Sequence, residues 1–134
     1  MSFGTVINCI DGRVQIPVLN YLQANFEPEY FDACNEAGPL KIITKHKGSC
    51  RLLALKDQLK VSLNKHGSKL LAVVGHHDCS GNPVSREEKE GQIVEALDYL
   101  RRAYGKDKLY VGLYVDERWE VNEIHRIEAE EVDP

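Results

Sequence analysis

The sequence predicts an α/β fold: a mainly parallel central sheet of about four strands, with helices on both faces and a C-terminal antiparallel edge strand. Short apolar runs rich in β-branched residues alternate with longer amphipathic segments. The last run, residues 109–115, is followed by a tight turn at 116–118 and an extended segment over 119–124. We expect the strand order 2-1-3-4, because right-handed crossovers place the first strand beside the third. We expect one domain over residues 1–134.

The first part of the chain predicts two strands joined by a helix. Residues 5–10 are a nearly continuous apolar run, typical of a strand buried on both faces. Pro17 suits the first turn of a helix that ends near Asn25. Residues 40–44, which follow Gly38 and a proline, form the second predicted strand. The residues of the first helix that we expect to face the core are Val18, Leu19 and Leu22.

The middle of the chain predicts two more helices around the most apolar strand. Residues 51–64 carry leucines at the spacing of one helical face. Residues 70–74 form the third strand. Ser85 and Glu88 have the spacing of a capping box, so a helix begins there and ends at Gly105. The leucines of the earlier helix that we expect in the core are Leu52, Leu55, Leu59 and Leu63.

The composition is that of an ordinary globular protein, with 43% hydrophobic and 28% charged residues. The net charge of −4 argues against a general nucleic-acid binder. No apolar run approaches the roughly 20 residues of a membrane span, so we expect no membrane partner. The chain enters a strand almost at once, without room for a signal peptide, so we expect a cytoplasmic protein. Cysteines in that reducing compartment are metal ligands, nucleophiles or small core residues.

The charges are unevenly distributed along the chain. Residues 41–69 contain eight lysines and arginines and one acid, whereas residues 116–134 contain eight acids and two arginines. One interpretation is two solvated faces of opposite sign. The other is a pair of complementary patches in a symmetric dimer.

Three potential metal ligands follow strands that we expect to be neighbours. Cys9 ends the first strand, His76 ends the third, and Cys79 follows in the next loop. Because the carboxyl ends of parallel strands meet at one edge of a sheet, these side chains share a crevice. Two thiolates and one imidazole predict a zinc site with an open fourth position. The alternative is that Cys9 and Cys79 are buried apolar thiols, the class to which we assign Cys34 and Cys50.

Asp11 and Arg13 follow Cys9 closely and have two interpretations. They are either a turn residue with its ion-pair partner, or an acid–base pair in which Arg13 keeps Asp11 ionised. Two other interpretations start from Cys9 as a nucleophile. A phosphatase with Arg13 as phosphate clamp is disfavoured because the loop is too short to wrap a phosphate. A cysteine hydrolase with His76 as base leaves Cys79 without a role.

The segments Cys9-Ile10-Asp11-Gly12-Arg13 and Gly75-His76-His77-Asp78-Cys79 resemble the C-x-D-x-R and G-H-x-x-C motifs of β-class carbonic anhydrases. The resemblance implies Zn²⁺ held by Cys9, His76 and Cys79. It implies that Asp11, held by Arg13, orients zinc-bound water. The implied reaction is that of a lyase, the reversible hydration of carbon dioxide to bicarbonate, in a homodimer or higher homo-oligomer.

The chain departs from the family pattern at several points, and the resemblance leaves two alternatives open. Residues 35–39 replace the usual R-N-A-G stretch, Ser80 stands where a glycine is usual, and the family's pocket glutamine has no equivalent. A hydrolase of carbonyl sulfide or carbon disulfide needs the same chemistry. A zinc-binding module without turnover would have Asp11 in the fourth position. We interpret His77 as a solvent-facing residue rather than a proton shuttle.

Overall fold

The computed structural model describes residues 2–131, which contain a five-stranded sheet in the order 2-1-3-4-5. The strands are β1 (Phe3–Cys9), β2 (Tyr30–Glu36), β3 (Leu70–His76), β4 (Leu109–Val115) and β5 (Val121–Ile127). The helices are α1 (Gln15–Asn25), α2 (Pro39–Lys45), α3 (Cys50–Lys60) and α4 (Arg86–Tyr104). Strands β1 to β4 are parallel, and β5 pairs antiparallel with β4. The predicted fold class and strand order are therefore confirmed.

The sheet separates two apolar layers. On one face, α2, α3 and α4 pack against the strands with fully buried side chains such as Ile42, Leu55 and Leu97. On the other face, α1 contributes Val18 and Leu22. Every residue of β3 is buried, as the continuous apolar run predicts for a central strand covered on both faces.

Helices α3 and α4 lie where the sequence predicts them. The Ser85 hydroxyl accepts the backbone N–H of Glu88 at 3.1 Å and caps α4, which ends before Gly105. The predicted leucine stripe of α3 is buried and continues into a π-helical turn, Val61–Lys65. None of the helices within residues 2–131 has the length and apolar character needed to cross a membrane.

The second strand is the main error of the sequence-based prediction. Residues 40–44 lie in α2, and the strand beside β1 is β2, whose Glu36 is in register with Cys9. A short continuous apolar run does not distinguish a buried strand from a buried helix. Pro39 at the first helical position, after Gly38 at φ +64°, starts the helix. Strand β2 lacks an apolar run because it is a half-exposed edge strand.

Three smaller expectations also need correction. Leu19 is 42% exposed instead of facing the core, because α1 has a narrow buried face. Cys50 is exposed, because it is the first residue of α3. The edge strand begins at Val121, because Trp119 is in the preceding turn with φ +62°.

Candidate metal centre

The three predicted ligands lie together at the carboxyl end of the sheet. Cys9 ends β1 and His76 ends β3, and these strands are parallel neighbours. The sulfur atoms of Cys9 and Cys79 and the ring nitrogen of His76 all lie within 4.8 Å of one another, and all three residues are buried. The loop after β3 brings Cys79 back so that its Sγ is 3.9 Å from Sγ of Cys9.

His76 has one ring nitrogen that is bonded and one that is not. Its Nδ1 is 2.7 Å from the backbone oxygen of His77, which fixes Nδ1 as the donor and leaves a lone pair on Nε2. Nε2 is buried and has no hydrogen-bond partner within the described residues. Leaving a buried polar atom unsatisfied costs about 1–3 kcal/mol, so this atom indicates a missing ligand.

The two thiols are arranged to share one proton. The pKa of Cys9 lies well below its usual value, mainly because the Cys79 thiol donates to its sulfur; burial opposes this shift. The pKa of Cys79 is raised because it keeps that proton beside Cys9 and because it is buried. Thiolates are metal ligands, and a bound cation would release the shared proton.

The donor set fits a zinc ion. Zn–S bonds of about 2.3 Å in a tetrahedron place two sulfurs about 3.8 Å apart. The observed sulfur–sulfur distance is 3.9 Å. Two thiolates and a neutral imidazole nitrogen are ligands that zinc prefers, and three protein ligands leave one position for water or substrate.

Glycine at position 81 allows the two loops around the site to touch. A Cβ on Gly81 would lie 2.7 Å from the carbonyl carbon of Ala37, so only glycine fits without displacing the backbone. Gly81 therefore explains how the sequence Cys79-Ser80-Gly81 closes the site although Ser80 stands where the resembling family has glycine. The backbone N–H of Gly81 also lowers the pKa of Cys79.

Asp11 and Arg13 form a bidentate ion pair beside the centre. Nη2 of Arg13 is 2.7 Å from Oδ2 of Asp11, and Nε is 3.0 Å from Oδ1. The backbone N–H of Arg13 donates to Oδ1 as well, at 2.9 Å. These hydrogen bonds lower the pKa of Asp11 to about 2. Asp11 is outside the group of possible ligands found within residues 2–131, and its Oδ2 accepts one protein hydrogen bond.

Arg13, in the loop after β1, also contacts the loops that follow β3 and β4. It donates to Oδ2 and to the backbone oxygen of Asp78, both at 3.2 Å, and its guanidinium lies 4.4 Å from the ring centroid of Trp119. Asp78 adopts φ +58° between His76 and Cys79. The contacts that Asp78 and Trp119 make with Arg13 are not predicted from the sequence. The position of Asp78 within H-x-x-C is the available signal.

Gln15 also supports the site, and the sequence does not predict this role. Its Nε2 donates to the backbone oxygens of Cys9 and Asp11, at 2.7 and 2.8 Å, and so fixes the turn that carries Asp11. No motif includes this residue. His77 is exposed, and its ring lies edge-on to Trp119 with 6.3 Å between centroids.

Comparison with known proteins gives a family and a fold. The sequence model of the family described as "Putative carbonic anhydrase" matches residues 1–125. No curated protein sequence matches the chain significantly.

Several solved structures share the fold at low sequence identity. A carbonic anhydrase from Streptococcus mutans is 15% identical, with TM-score 0.61, over 90% of this chain and 81% of that one. A tetrameric β-carbonic anhydrase from Sordaria macrospora is 9% identical, with TM-score 0.57, over 92% of this chain and 81% of that one. The apo form of a carbon disulfide hydrolase is 15% identical, with TM-score 0.56, over 90% of this chain and 78% of that one.

Proposed function

The chain belongs to this carbonic anhydrase family, and we propose that it catalyses the zinc-dependent, reversible hydration of carbon dioxide to bicarbonate and a proton. The observation that carries the proposal is the buried group of Cys9, His76 and Cys79, in which Nε2 of His76 has no partner within residues 2–131. These three residues would hold the zinc ion. Zinc in such a site lowers the pKa of bound water to about 7 and so supplies hydroxide at neutral pH.

Asp11 and Arg13 have separate tasks in this proposal. Arg13 holds Asp11 ionised and fixes the direction of its carboxylate through both oxygens. Oδ2 of Asp11 keeps a lone pair that would accept a hydrogen bond from the attacking hydroxide, whose proton stays on its own oxygen. Such a hydrogen bond would orient the hydroxide so that an oxygen lone pair faces the carbon of the linear substrate, and addition of hydroxide to that carbon gives bicarbonate.

Two alternatives use the same residues. Carbonyl sulfide and carbon disulfide are also linear electrophiles, and one of the similar structures is a carbon disulfide hydrolase. A silent zinc module requires Asp11 in the fourth position. The engagement of both Asp11 oxygens by Arg13 argues against that arrangement.

Stopped-flow kinetics with a pH indicator, on protein of measured zinc content, tests the proposal. We expect carbon dioxide hydration whose rate rises between about pH 6 and about pH 9, as expected for water with a pKa near 7. Cys79→Ser serves as the blank. A rate equal to the blank in zinc-loaded protein would reject carbon dioxide as substrate. Parallel assays with carbonyl sulfide and carbon disulfide then separate a sulfur-substrate hydrolase from a silent module.

We also propose that the chain forms a homodimer or higher homo-oligomer. The basic segment 41–69 and the acidic segment 116–134 provide complementary charge. Ile10 and Ile16 expose 63% and 71% of their surface, apolar area that a second chain would cover. Light scattering at tens of micromolar protein tests this, and a monomeric mass would reject it.

A further inference from the structure

The side chain of Lys89 is buried and lines a cavity. It lies in α4 and is 3% exposed. None of the hydrogen bonds or ion pairs formed within residues 2–131 involves its ammonium group. Lysine is almost never fully buried unless it is paired, because removing its charge from water is costly. Nζ of Lys89 is not among the fully buried polar atoms without a partner in the described part of the chain, so the ammonium group meets the solvent of the cavity that the side chain lines, where an anion can reach it.

The surroundings of Lys89 point towards the metal centre. Burial lowers the pKa of Lys89, and the charges of Cys79, Asp78 and Cys9 oppose that shift, in that order. Asp78 is already paired with Arg13. The two thiolates would be neutralised by a bound metal, so they do not supply a lasting partner for Lys89 in the loaded protein.

An open cavity connects Lys89 with the centre. Its volume is about 510 Å³, and its lining includes His77, Cys79, Arg86, Lys89 and Tyr114. Arg86 stacks over the ring of Tyr114 at 4.6 Å, so the cavity has a second cation at its wall. The acids beside it are Asp78 and Glu117, of which Asp78 is turned towards Arg13.

We propose that Lys89 binds a small oxyanion of the bicarbonate class in this cavity, beside Cys79. The choice of bicarbonate as the anion rests on the proposed function. Carbon dioxide is neutral and its hydration product is an anion, so a fixed cation beside the centre distinguishes product from substrate. Arg86, which lines the same cavity, adds favourable potential for an anion.

Calorimetric titration with sodium bicarbonate, against sodium chloride at equal ionic strength, tests the proposal. Zinc-loaded and metal-free protein are both titrated, with zinc content and thermal unfolding measured on each sample. We expect Lys89→Met to weaken bicarbonate binding about tenfold or more, the effect of one charge-assisted hydrogen bond. Lys89→Arg should stay within about threefold of wild type, because it keeps the charge.

Arg102→Met is the matched control, because it removes one positive charge from the exposed end of the same helix. It should leave binding unchanged. Equal bicarbonate affinity in wild type and a folded Lys89→Met variant would overturn the inference, as would binding only in zinc-loaded protein. Lys89-dependent binding without carbon dioxide turnover would support the inference and reject the proposed function.

Discussion

The two ends of the parallel sheet each hold a polar cluster, and the clusters differ in whether their polar atoms are satisfied. At the amino end, Thr5 of β1 donates to Ser68 at 2.8 Å. The Ser62 oxygen lies 2.6 Å from that of Thr5, and Ser62 donates to Asp32 at 2.7 Å. Nδ1 of His66 is 2.6 Å from the same carboxylate. This cluster joins β1, β2 and the π-helical turn without needing a ligand.

The cluster at the carboxyl end is built differently. Nε2 of His76 has no partner within the described part of the chain, and the buried sulfur atoms of Cys9 and Cys79 lie 3.9 Å apart, with only each other's thiol as side-chain partner among the hydrogen bonds of these residues. A buried polar network with every member satisfied rigidifies a fold, whereas an unsatisfied member indicates a ligand that the protein alone does not provide. The number of hydrogen-bond partners of the buried polar atoms, and not the type of residue, therefore distinguishes the structural cluster from the functional one.

The largest expected effect is at the carboxyl end, in Cys79→Ser. Two remaining ligands hold zinc much more weakly than three, so the variant should lose stoichiometric zinc and the stabilisation that zinc gives. Metal analysis after gel filtration and thermal unfolding with and without a chelator measure both effects. Cys50→Ser, at an exposed cysteine, is the control and should keep its zinc. Full zinc content in Cys79→Ser would remove Cys79 from the ligand set.

The next effect is on turnover alone, in Asp11→Asn. The amide has one acceptor oxygen, so it cannot accept both hydrogen bonds from the Arg13 guanidinium and a further one from hydroxide. We expect turnover to fall about a hundredfold, the scale of one positioned acid–base group, with zinc retained. Stopped-flow assays with metal analysis measure this. Asp32→Asn, the matched change at the amino end, should leave turnover intact. Equal turnover in Asp11→Asn and wild type would reduce the Asp11–Arg13 pair to a structural ion pair.

The sequence predicted the carboxyl end better than the amino end for a physical reason. Cys9 and His76 end apolar runs, and the geometry of parallel sheets then brings strand ends together. The amino-end cluster joins Thr5, Ser62 and Asp32, which have no shared motif. The prediction of a second strand over residues 40–44 is wrong because Gly38 and Pro39 start a helix there. Lys89 was missed because amphipathic spacing does not predict a buried charge.

A moderate loss of stability is expected from Ser62→Ala at the amino end. The change leaves Asp32 without its buried donor, and the loss of such a hydrogen bond costs about 1–3 kcal/mol. Urea unfolding of the metal-free protein measures the free energy of unfolding. Zinc content and turnover should match wild type. A change in zinc affinity without a change in stability would contradict the division between the two clusters.

The smallest expected effect is the pH dependence that Asp11 contributes to stability. Its pKa is lowered from 3.8 to about 2 in the folded protein, chiefly by hydrogen bonds from Arg13. A group with a lowered folded pKa stabilises the fold above its unfolded pKa and loses that contribution as the pH falls through the folded value. The difference in free energy of unfolding between wild type and Asp11→Asn should therefore be constant above about pH 5 and become smaller towards about pH 2.

Thermal unfolding of the two metal-free proteins across this pH range measures the difference. Asp107, whose pKa is also lowered to about 2, by Lys69 and Lys108, contributes equally to both proteins and cancels. Metal-free samples are needed because zinc binding would add the protonation of Cys9 and Cys79 to the same curve. A gap between wild type and Asp11→Asn that stays constant down to about pH 2 would mean that Arg13 does not hold Asp11 ionised, and the positioning role proposed for the pair would fail with it.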